Sequence, residues 1–342
     1  MSKLSATVLW HAAETRRRFA GATVQKTGQP RFPGDWAESY WEWKFETNPH
    51  GDALIWVGED DGRIAGCYIW NPVRIRLGAK AIRGAQSVDA ATHKDYRGRG
   101  LFTDLARTAA EDVAESDLAL VYAFPVEAAS RGQVRIGFEA RWTVTPLAPS
   151  ATDGPIRRRA DDFALDRSAS FDSEFDAFTP QERDGELSVD RDPDYLRWRY
   201  DQHPTREYDT LVCHREGELC GYCVLSIESE KRMGRGFILD LEVRPDAAAA
   251  AAFLVHHALK HLRSRGARVA ITWPRPSGPE QEALADQGFS SRYRSIQRRL
   301  RRDRYEPQFP IYETATYREL VDGSDSEGHP AWSLVPGDHD SM

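Results

Sequence analysis

An internal repeat is the feature of this chain that most restricts its fold. The segment 40–49 (YWEWKFETNP) resembles the segment 195–204 (YLRWRYDQHP) at an offset of 155 residues. The same offset aligns two pairs of glycines, Gly62 with Gly217 and Gly66 with Gly221. In both halves an acidic residue precedes the first of these glycines between two apolar runs, which is typical of a β-hairpin. The 342 residues are therefore predicted to contain two copies of one domain.

The repeat continues through the rest of each half at an offset of 151. It aligns Asp89 with Asp240, Tyr122 with Trp273, Pro125 with Pro276, and Gly137-Phe138 with Gly288-Phe289. Each half starts with a helix and a hairpin, and then alternates strands with helices; Leu101, Leu105 and Ala109, for example, recur at helical spacing. This order predicts a mixed α/β (α+β) sheet in each of two tandem domains.

Linker composition marks the boundary between the halves. The segment 148–155 (APSATDGP) is rich in small residues and proline. We therefore predict a first domain over 1–149, a second domain over 156–304, and a C-terminal extension over 305–342. The end of the extension is rich in Gly, Ser, Asp and His and is expected to be flexible.

The charge and hydropathy of the chain disfavour two classes of partner. The formal net charge is -7, whereas nucleic-acid-binding domains are usually basic. No apolar stretch approaches the roughly 18 residues of a membrane span, and residues 1–13 lack a secretory signal. We expect a cytoplasmic protein with no nucleic-acid or membrane partner. The oligomeric state stays open.

Three cysteines and a histidine lie close together in the second half. Cys213, His214, Cys220 and Cys223 could form a metal cluster. They fall on a predicted hairpin, however, where residues three apart should face opposite sides of the strand. We therefore predict thiols packed in the core and no metal site.

The segment 87–102 (SVDAATHKDYRGRGLF) carries the chemistry. An apolar strand runs into a loop with two glycines, and a helix follows. Glycines allow a ligand to approach the backbone, and the helix N-terminus adds partial positive charge. Arg97 and Arg99 add two full charges. The pattern predicts a diphosphate site, although the G-x-G-x-x-G and Walker motifs are both missing.

These residues resemble the GNAT superfamily of acetyl-CoA-dependent N-acetyltransferases. The family's loop, Arg/Gln-x-x-Gly-x-Gly/Ala, reads here from Arg97 to Phe102, and only the last position departs. The resemblance spans about Trp41 to Leu147 and implies acetyl-CoA as co-substrate, with a pantetheine arm along the strand and a pyrophosphate in the loop. The cofactor-binding residues that it implies are Ala90, Ala91, Thr92, Arg97, Gly98, Arg99, Gly100, Leu101, Phe102 and Thr103.

The same resemblance implies direct attack of a neutral amine on the thioester, with a base that accepts the ammonium proton. The family's usual acid, a Tyr four residues before the Gly-Phe pair, is replaced here by Gln133, and its usual Asn by Val126. The remaining catalytic candidates are Asp89, Tyr122 and Glu127.

The second half lacks the glycine loop, because an alanine run, 247–252, stands in its place. We interpret it as a degenerate GNAT-like domain that shapes the acceptor cleft. The predicted function is acyl transfer from acetyl-CoA to the amine of a small molecule or peptide. Two alternatives are an aminoacyl transferase of the FemAB type, which has paired GNAT-like domains, and a non-catalytic CoA-binding or scaffold protein.

Overall fold

The computed structural model describes residues 5–10, 38–114, 116–125, 127–143, 147–149, 162–168, 170–178, 185–228, 234–273, 275–291, 308–317, 330–333 and 335–338. Within these ranges, no helix combines the length and the apolar character needed to cross a bilayer.

The first half forms a mixed sheet around the two longest strands of the described chain. Its strands are β1 (Ser5–Trp10), β2 (Leu54–Asp60), β3 (Arg63–Leu77), β4 (Lys80–Thr92), β5 (Leu118–Ala123) and β6 (Glu139–Thr143). Its helices are α1 (Glu38–Trp41, continued by a π-helical turn, Glu42–Glu46), α2 (Leu101–Val113) and α3 (Glu127–Arg135). Strands β1 to β4 pair antiparallel, and β5 then pairs parallel to β4. Helix α2 makes the parallel crossover and buries Leu101, Leu105 and Ala109 against the sheet, as their spacing predicts.

The second half repeats this order. Its strands are β7 (Ala148–Pro149), β8 (Ala164–Ser168), β9 (Glu186–Val189), β10 (Asp209–Arg215), β11 (Glu218–Glu228), β12 (Arg235–Val243), β13 (Val269–Ile271) and β14 (Phe289–Ser290). Its helices are α4 (Pro193–Leu196, continued by a π-helical turn, Arg197–Asp201), α5 (Ala249–Ser264) and α6 (Pro279–Asp286). The sheet order β8-β10-β11-β12-β13, with β12 and β13 parallel, matches β1 to β5. The duplication predicted from the two offsets is confirmed at the level of topology.

Strands from the later chain complete the first sheet. Strand β15 (Gln308–Glu313) lies antiparallel between β5 and β6, so that Ile311 is opposite both Tyr122 and Glu139. Strand β9 pairs with the end of β3, and β16 (Ala331–Trp332) pairs with β9. The segment that we treated as a C-terminal extension thus contributes an interior strand to the first sheet, and the second half is inserted between β6 and β15. The domain boundaries stay predictions.

The repeated aromatic motif forms the junction between the halves. The rings of Trp43 and Trp198, which the repeat aligns, stack with centroids 5.1 Å apart. Each indole Nε1 donates to the backbone carbonyl of the other residue, at 2.6 and 2.7 Å. The contact is reciprocal, since each of the two residues donates and accepts the same hydrogen bond, and it lies inside a core cluster to which both halves contribute. The repeat therefore encodes the contact between the domains as well as the domains themselves.

The three clustered cysteines pack on one face of the second sheet. A β-bulge shifts the register between Cys213 and His214, so that Cys220 has no opposite residue. Cys220 and Cys223 consequently face the same core cluster as Cys213, against helix α5. Our expectation that they face opposite sides was wrong, because it assumed an unbroken strand. Burial raises the pKa of the Cys213 and Cys223 thiols, and no metal-holding group of His, Cys, Asp or Glu occurs among the described residues.

Candidate active site

The parallel strands β4 and β5 separate before β4 ends. Their last paired residues are Ser87 and Ala123. Beyond that point β3 is the only pairing partner of β4 among the described residues, through Ala90, Ala91 and Thr92. A bulge of two residues, Val88 and Asp89, lies where the strands part. One edge of the segment from Ala90 to Thr92 is therefore open to an extended ligand within the described part of the chain.

The open edge leads to a loop of exposed backbone amides. Gly98 and Gly100 have φ angles of +75° and +87°, a region that favours glycine. The first helical hydrogen bond of α2 runs from the Asp104 amide to the Gly100 carbonyl, at 3.0 Å. The amides of 98–103 have no backbone acceptor among the described residues, and they lie at the positive end of a 13-residue helix. This loop has the geometry of an anion site.

Two glycines of the central strands fix the position of this helix. A Cβ built on Gly58 would lie 2.8 Å from Leu101 Cδ1. A Cβ on Gly66 would lie 2.8 Å from the Ala91 carbonyl oxygen and 3.0 Å from Leu101 Cδ2. Leu101, the first residue of α2, therefore presses directly on the sheet. Gly221, which the repeat aligns with Gly66, has the same tight contacts with β12 and α5.

Phe102, which departs from the loop pattern of the resembled family, points away from the loop. Its ring packs edge-on against Tyr68, with centroids 5.6 Å apart. On the other side it fills the space where Gly132 of α3 would carry a Cβ. A large side chain on α2 is thus matched by a glycine on α3, and the loop amides stay accessible.

A row of buried polar side chains lies at the point where β4 and β5 part. Ser87 Oγ donates to the Tyr68 hydroxyl at 3.0 Å, and Gln133 Nε2 donates to Ser87 Oγ at 3.3 Å. Burial raises the pKa of Tyr68, against the opposing effect of its hydrogen-bonding neighbours. Tyr68 is therefore a neutral phenol at pH 7. Gln133 occupies the place of the Tyr that the resemblance leads us to expect, but Tyr68 and Ser87 were not singled out from sequence.

Asp89 lies on the opposite face of the sheet, paired with Lys44 of helix α1. Lys44 Nζ is 2.5 Å from Asp89 Oδ2, and the two side chains are 3% and 28% exposed. The aligned Asp240 is only 1% exposed and pairs with Arg191 Nε at 2.7 Å. The two aligned aspartates therefore lie in different environments. Of the two, Asp89 is partly exposed and Asp240 is buried. Lys44 lies inside the repeated motif, where it aligns with Arg199. A basic residue at the same position in both copies is the sequence pattern that could have indicated Lys44.

The other two catalytic candidates lie elsewhere. Tyr122 is buried in the core between the halves, where its ring packs against Trp332 with ring centroids 5.3 Å apart. Burial raises its pKa well above the ordinary value. Glu127 begins helix α3, and its side chain lies outside the described residues, as does Val126.

In the second half, the chain itself covers the corresponding strand edge. Pairing of β12 with β13 ends at Phe237 and Ile271. Beyond it, Arg275 Nη2 donates to the Leu241 carbonyl at 2.6 Å and contacts Glu242 at 2.8 Å. The C-terminal turn Pro336–Asp338 packs on the same strand, where Asp338 accepts a hydrogen bond from Arg191 at 2.6 Å. The second half thus lacks the glycine loop and has its strand edge filled.

A splayed pair of parallel strands beside a glycine-rich anion loop defines an acyltransferase-type fold. Residues 19–140 match the family described as acetyltransferase (GNAT) domain, and residues 171–289 match the acetyltransferase (GNAT) family. Together the two matches cover more than two thirds of the chain. This chain belongs to the GNAT superfamily and contains two GNAT domains in tandem.

Solved structures support the fold over nearly the whole length. A probable N-acyltransferase from Enterococcus faecalis V583 is 14% identical, with a TM-score of 0.66 over 92% of this chain and 73% of that chain. A GCN5-related N-acetyltransferase from Anabaena variabilis is 13% identical, with a TM-score of 0.58 over 87% and 69%. N-myristoyltransferase from Saccharomyces cerevisiae is 10% identical, with a TM-score of 0.51 over 97% and 82%. At these identities the likeness shows the fold alone. No curated protein gives a significant sequence match.

Proposed function

We propose that the first half transfers an acetyl group from acetyl-CoA to a primary amine. The observation that carries this proposal is the open β4 edge that runs into the amide loop 98–103. The edge from Ala90 to Thr92 would pair with the amides of the pantetheine arm, and the loop would bind the diphosphate. Acetyl-CoA supplies an activated thioester; the residues of the chain bind it, orient it and hold the acceptor.

The two faces of the sheet have separate tasks in this proposal. The donor's diphosphate lies by α2, and the amine approaches from the face of α1, between the halves. There Asp89 is the partly exposed carboxylate closest to the point of strand separation, and it would accept the ammonium proton directly or through water. Lys44 compensates the charge of Asp89 before the amine arrives.

A short acyl group fits this site better than a long one. Tyr122, which pairs with Gln86 just before the strands part, packs on Trp332. Phe124, just beyond the last pair, packs on Trp273 with ring centroids 5.2 Å apart. These rings belong to the core between the halves and occupy the direction in which a long chain would extend. We therefore expect acetyl-CoA to bind more tightly than myristoyl-CoA.

Calorimetric titration with acetyl-CoA tests the donor site. We expect one site per chain, lost in Gly100→Glu, because a carboxylate at the helix start repels the diphosphate. Ala248→Glu places the same charge at the start of helix α5 and is the matched control, with unchanged binding. Two sites per chain, or equal losses in both variants, would contradict the assignment to the first half.

An acceptor screen tests the reaction. Release of CoA is followed with an amino sugar, a polyamine and a peptide amino terminus, each with acetyl-CoA. Turnover with one of these classes supports an acetyltransferase. Binding of acetyl-CoA without turnover on any of them would favour the non-catalytic alternative. Failure to bind acetyl-CoA would favour aminoacyl transfer, which needs no CoA diphosphate site.

A further inference from the structure

The buried row Tyr68, Ser87 and Gln133 lies on the α2 and α3 face of the first sheet. Its hydrogen bonds run from Gln133 Nε2 to Ser87 Oγ and from Ser87 Oγ to the Tyr68 hydroxyl, at 3.3 and 3.0 Å. All three residues are at least nine-tenths buried. Hydroxyl protons rotate, so the same row can also pass a proton from Tyr68 to Ser87.

One polar atom of this row, Gln133 Oε1, has no partner among the described residues. Buried polar atoms in proteins are almost always hydrogen-bonded. The row includes Ser87, the last residue of β4 that pairs with β5. The unpaired amide oxygen therefore indicates that the row meets a polar ligand there.

The position of Ser87 relative to the loop identifies the part of the ligand that it meets. Thr92 and Ser87 pair with Gly66 and Trp70 of β3, which are four residues apart, and this corresponds to about 13 Å. An extended pantetheine arm, anchored by its diphosphate at 98–103 and paired with the open edge, has a comparable length and ends in the sulfur. Ser87 therefore lies where the thioester sulfur of the proposed donor would be.

We propose that Ser87 is the catalytic acid that protonates the departing sulfur, with Tyr68 as the source of the proton; this rests on the proposed function. As the amine nitrogen bonds to the carbonyl carbon, the carbon–sulfur bond breaks and its electron pair goes to sulfur. The Ser87 proton moves to sulfur, and the Tyr68 proton moves to Ser87 Oγ. The ammonium releases one proton to solvent. After CoA has left, one proton enters from solvent at Ser87 and restores Tyr68 along the same hydrogen bond, so the transfer is balanced.

Gln133 and Trp70 act as positioning residues in this scheme. The Gln133 amide fixes Ser87 Oγ by donating to it. The Trp70 indole and the Gln133 amide both favour negative charge on the Tyr68 oxygen, which opposes the cost of a buried phenolate. The chain thus replaces the single tyrosine that the resemblance implies with a tyrosine on β3 that acts through a serine on β4.

The first test measures the pKa of the thiol of bound CoA by its ultraviolet absorbance and needs no acceptor. A donor to sulfur stabilises the thiolate, and a charge-assisted hydrogen bond is equivalent to a shift of about one to two pKa units. We expect Ser87→Ala to raise the thiol pKa by that amount and Ser87→Thr, which keeps the hydroxyl, to restore it. An unchanged thiol pKa in Ser87→Ala would overturn the contact with sulfur.

The second test separates catalysis from binding. Because general acids contribute roughly 10²–10⁴-fold, we expect Tyr68→Phe and Ser87→Ala to lower kcat by about 100-fold or more, with the Kd for acetyl-CoA within threefold of wild type. Tyr222→Phe, which removes a buried hydroxyl from the second half, is the control. A kcat within threefold of wild type in Tyr68→Phe, or a parallel loss of binding, overturns the relay. A wild-type chain that binds no CoA refutes the proposed function instead.

Discussion

Replacing Gly66 with alanine should damage the donor site through a single methyl group. The added Cβ would lie 2.8 Å from the Ala91 carbonyl oxygen and 3.0 Å from Leu101 Cδ2. Ordinary van der Waals contact begins near 3.4 Å. The Ala91 carbonyl and the Leu101 side chain must therefore each move away from residue 66 by roughly half an ångström. Ala91 lies on the open edge and Leu101 in the amide loop, so the strain falls on both parts of the proposed site. We expect overpacking to lower the free energy of unfolding by about 1–3 kcal/mol.

The matched control is Gly221→Ala, because the repeat supplies the same glycine in the second half. There the Cβ would lie 2.7 Å from the Glu242 carbonyl oxygen and 3.2 Å from Leu254 Cδ1. Urea unfolding should show similar losses in both variants. Calorimetry with acetyl-CoA should show at least about a tenfold increase in Kd for Gly66→Ala, about 1.4 kcal/mol, and none for Gly221→Ala. Equal effects of the two variants on binding would refute the placement of the donor in the first half.

Four further variants test the junction between the halves, a buried ion-pair cluster and a buried histidine by urea unfolding. Trp43→Phe and Trp198→Phe each leave one buried carbonyl without its indole donor and should lower the free energy of unfolding by about 1–3 kcal/mol apiece. A large cost in only one of them would contradict the reciprocity of the pair. Arg191→Met leaves the buried carboxylates of Asp240 and Asp338 without their arginine partner. It should lower the free energy of unfolding by about 3–5 kcal/mol, which is more than the loss of a surface ion pair would give. Burial, with the nearby Arg199, Arg206 and Lys44, lowers the pKa of His203 to about 3. Below about pH 6.5 this histidine binds a proton in the unfolded chain but not in the folded chain. The free energy of unfolding should therefore fall as the pH drops from about 6.5 to about 3. His203→Asn, the residue that the repeat has at position 48, should keep the local turn and weaken this pH dependence.

The fold could be predicted from sequence because the repeat provides two independent copies of the same pattern. Aligned glycines at 66 and 221 mark the same close contact between helix and sheet in each copy. The glycine loop could be predicted for a similar reason, since φ angles near +80° and free amides at a helix start need glycine. These features depend on backbone geometry, which local sequence specifies strongly.

Features that depend on distant chain segments could not be predicted in this way. Nothing in the residues 308–313 indicates that their partners are β5 and β6 rather than the second half. The bulge at Cys220 reversed our expected side-chain directions, because one extra residue changes the face of everything beyond it. The row Tyr68, Ser87 and Gln133 is drawn from two strands and a helix and has no spacing that a motif could record.

The insertion of the second half has a consequence for how the chain is made. Thr314, just after β15, donates to the carbonyl of Ala119, 195 residues earlier. At translation rates of about 5–20 residues per second, the first sheet waits about 10–40 seconds for that strand. During this time β5, an apolar strand, has an unpaired edge, which is a hazard for aggregation. Closing so long a loop also makes folding slow. The half that carries the glycine loop is the first to leave the ribosome, but its sheet is completed only after the second sheet has been made.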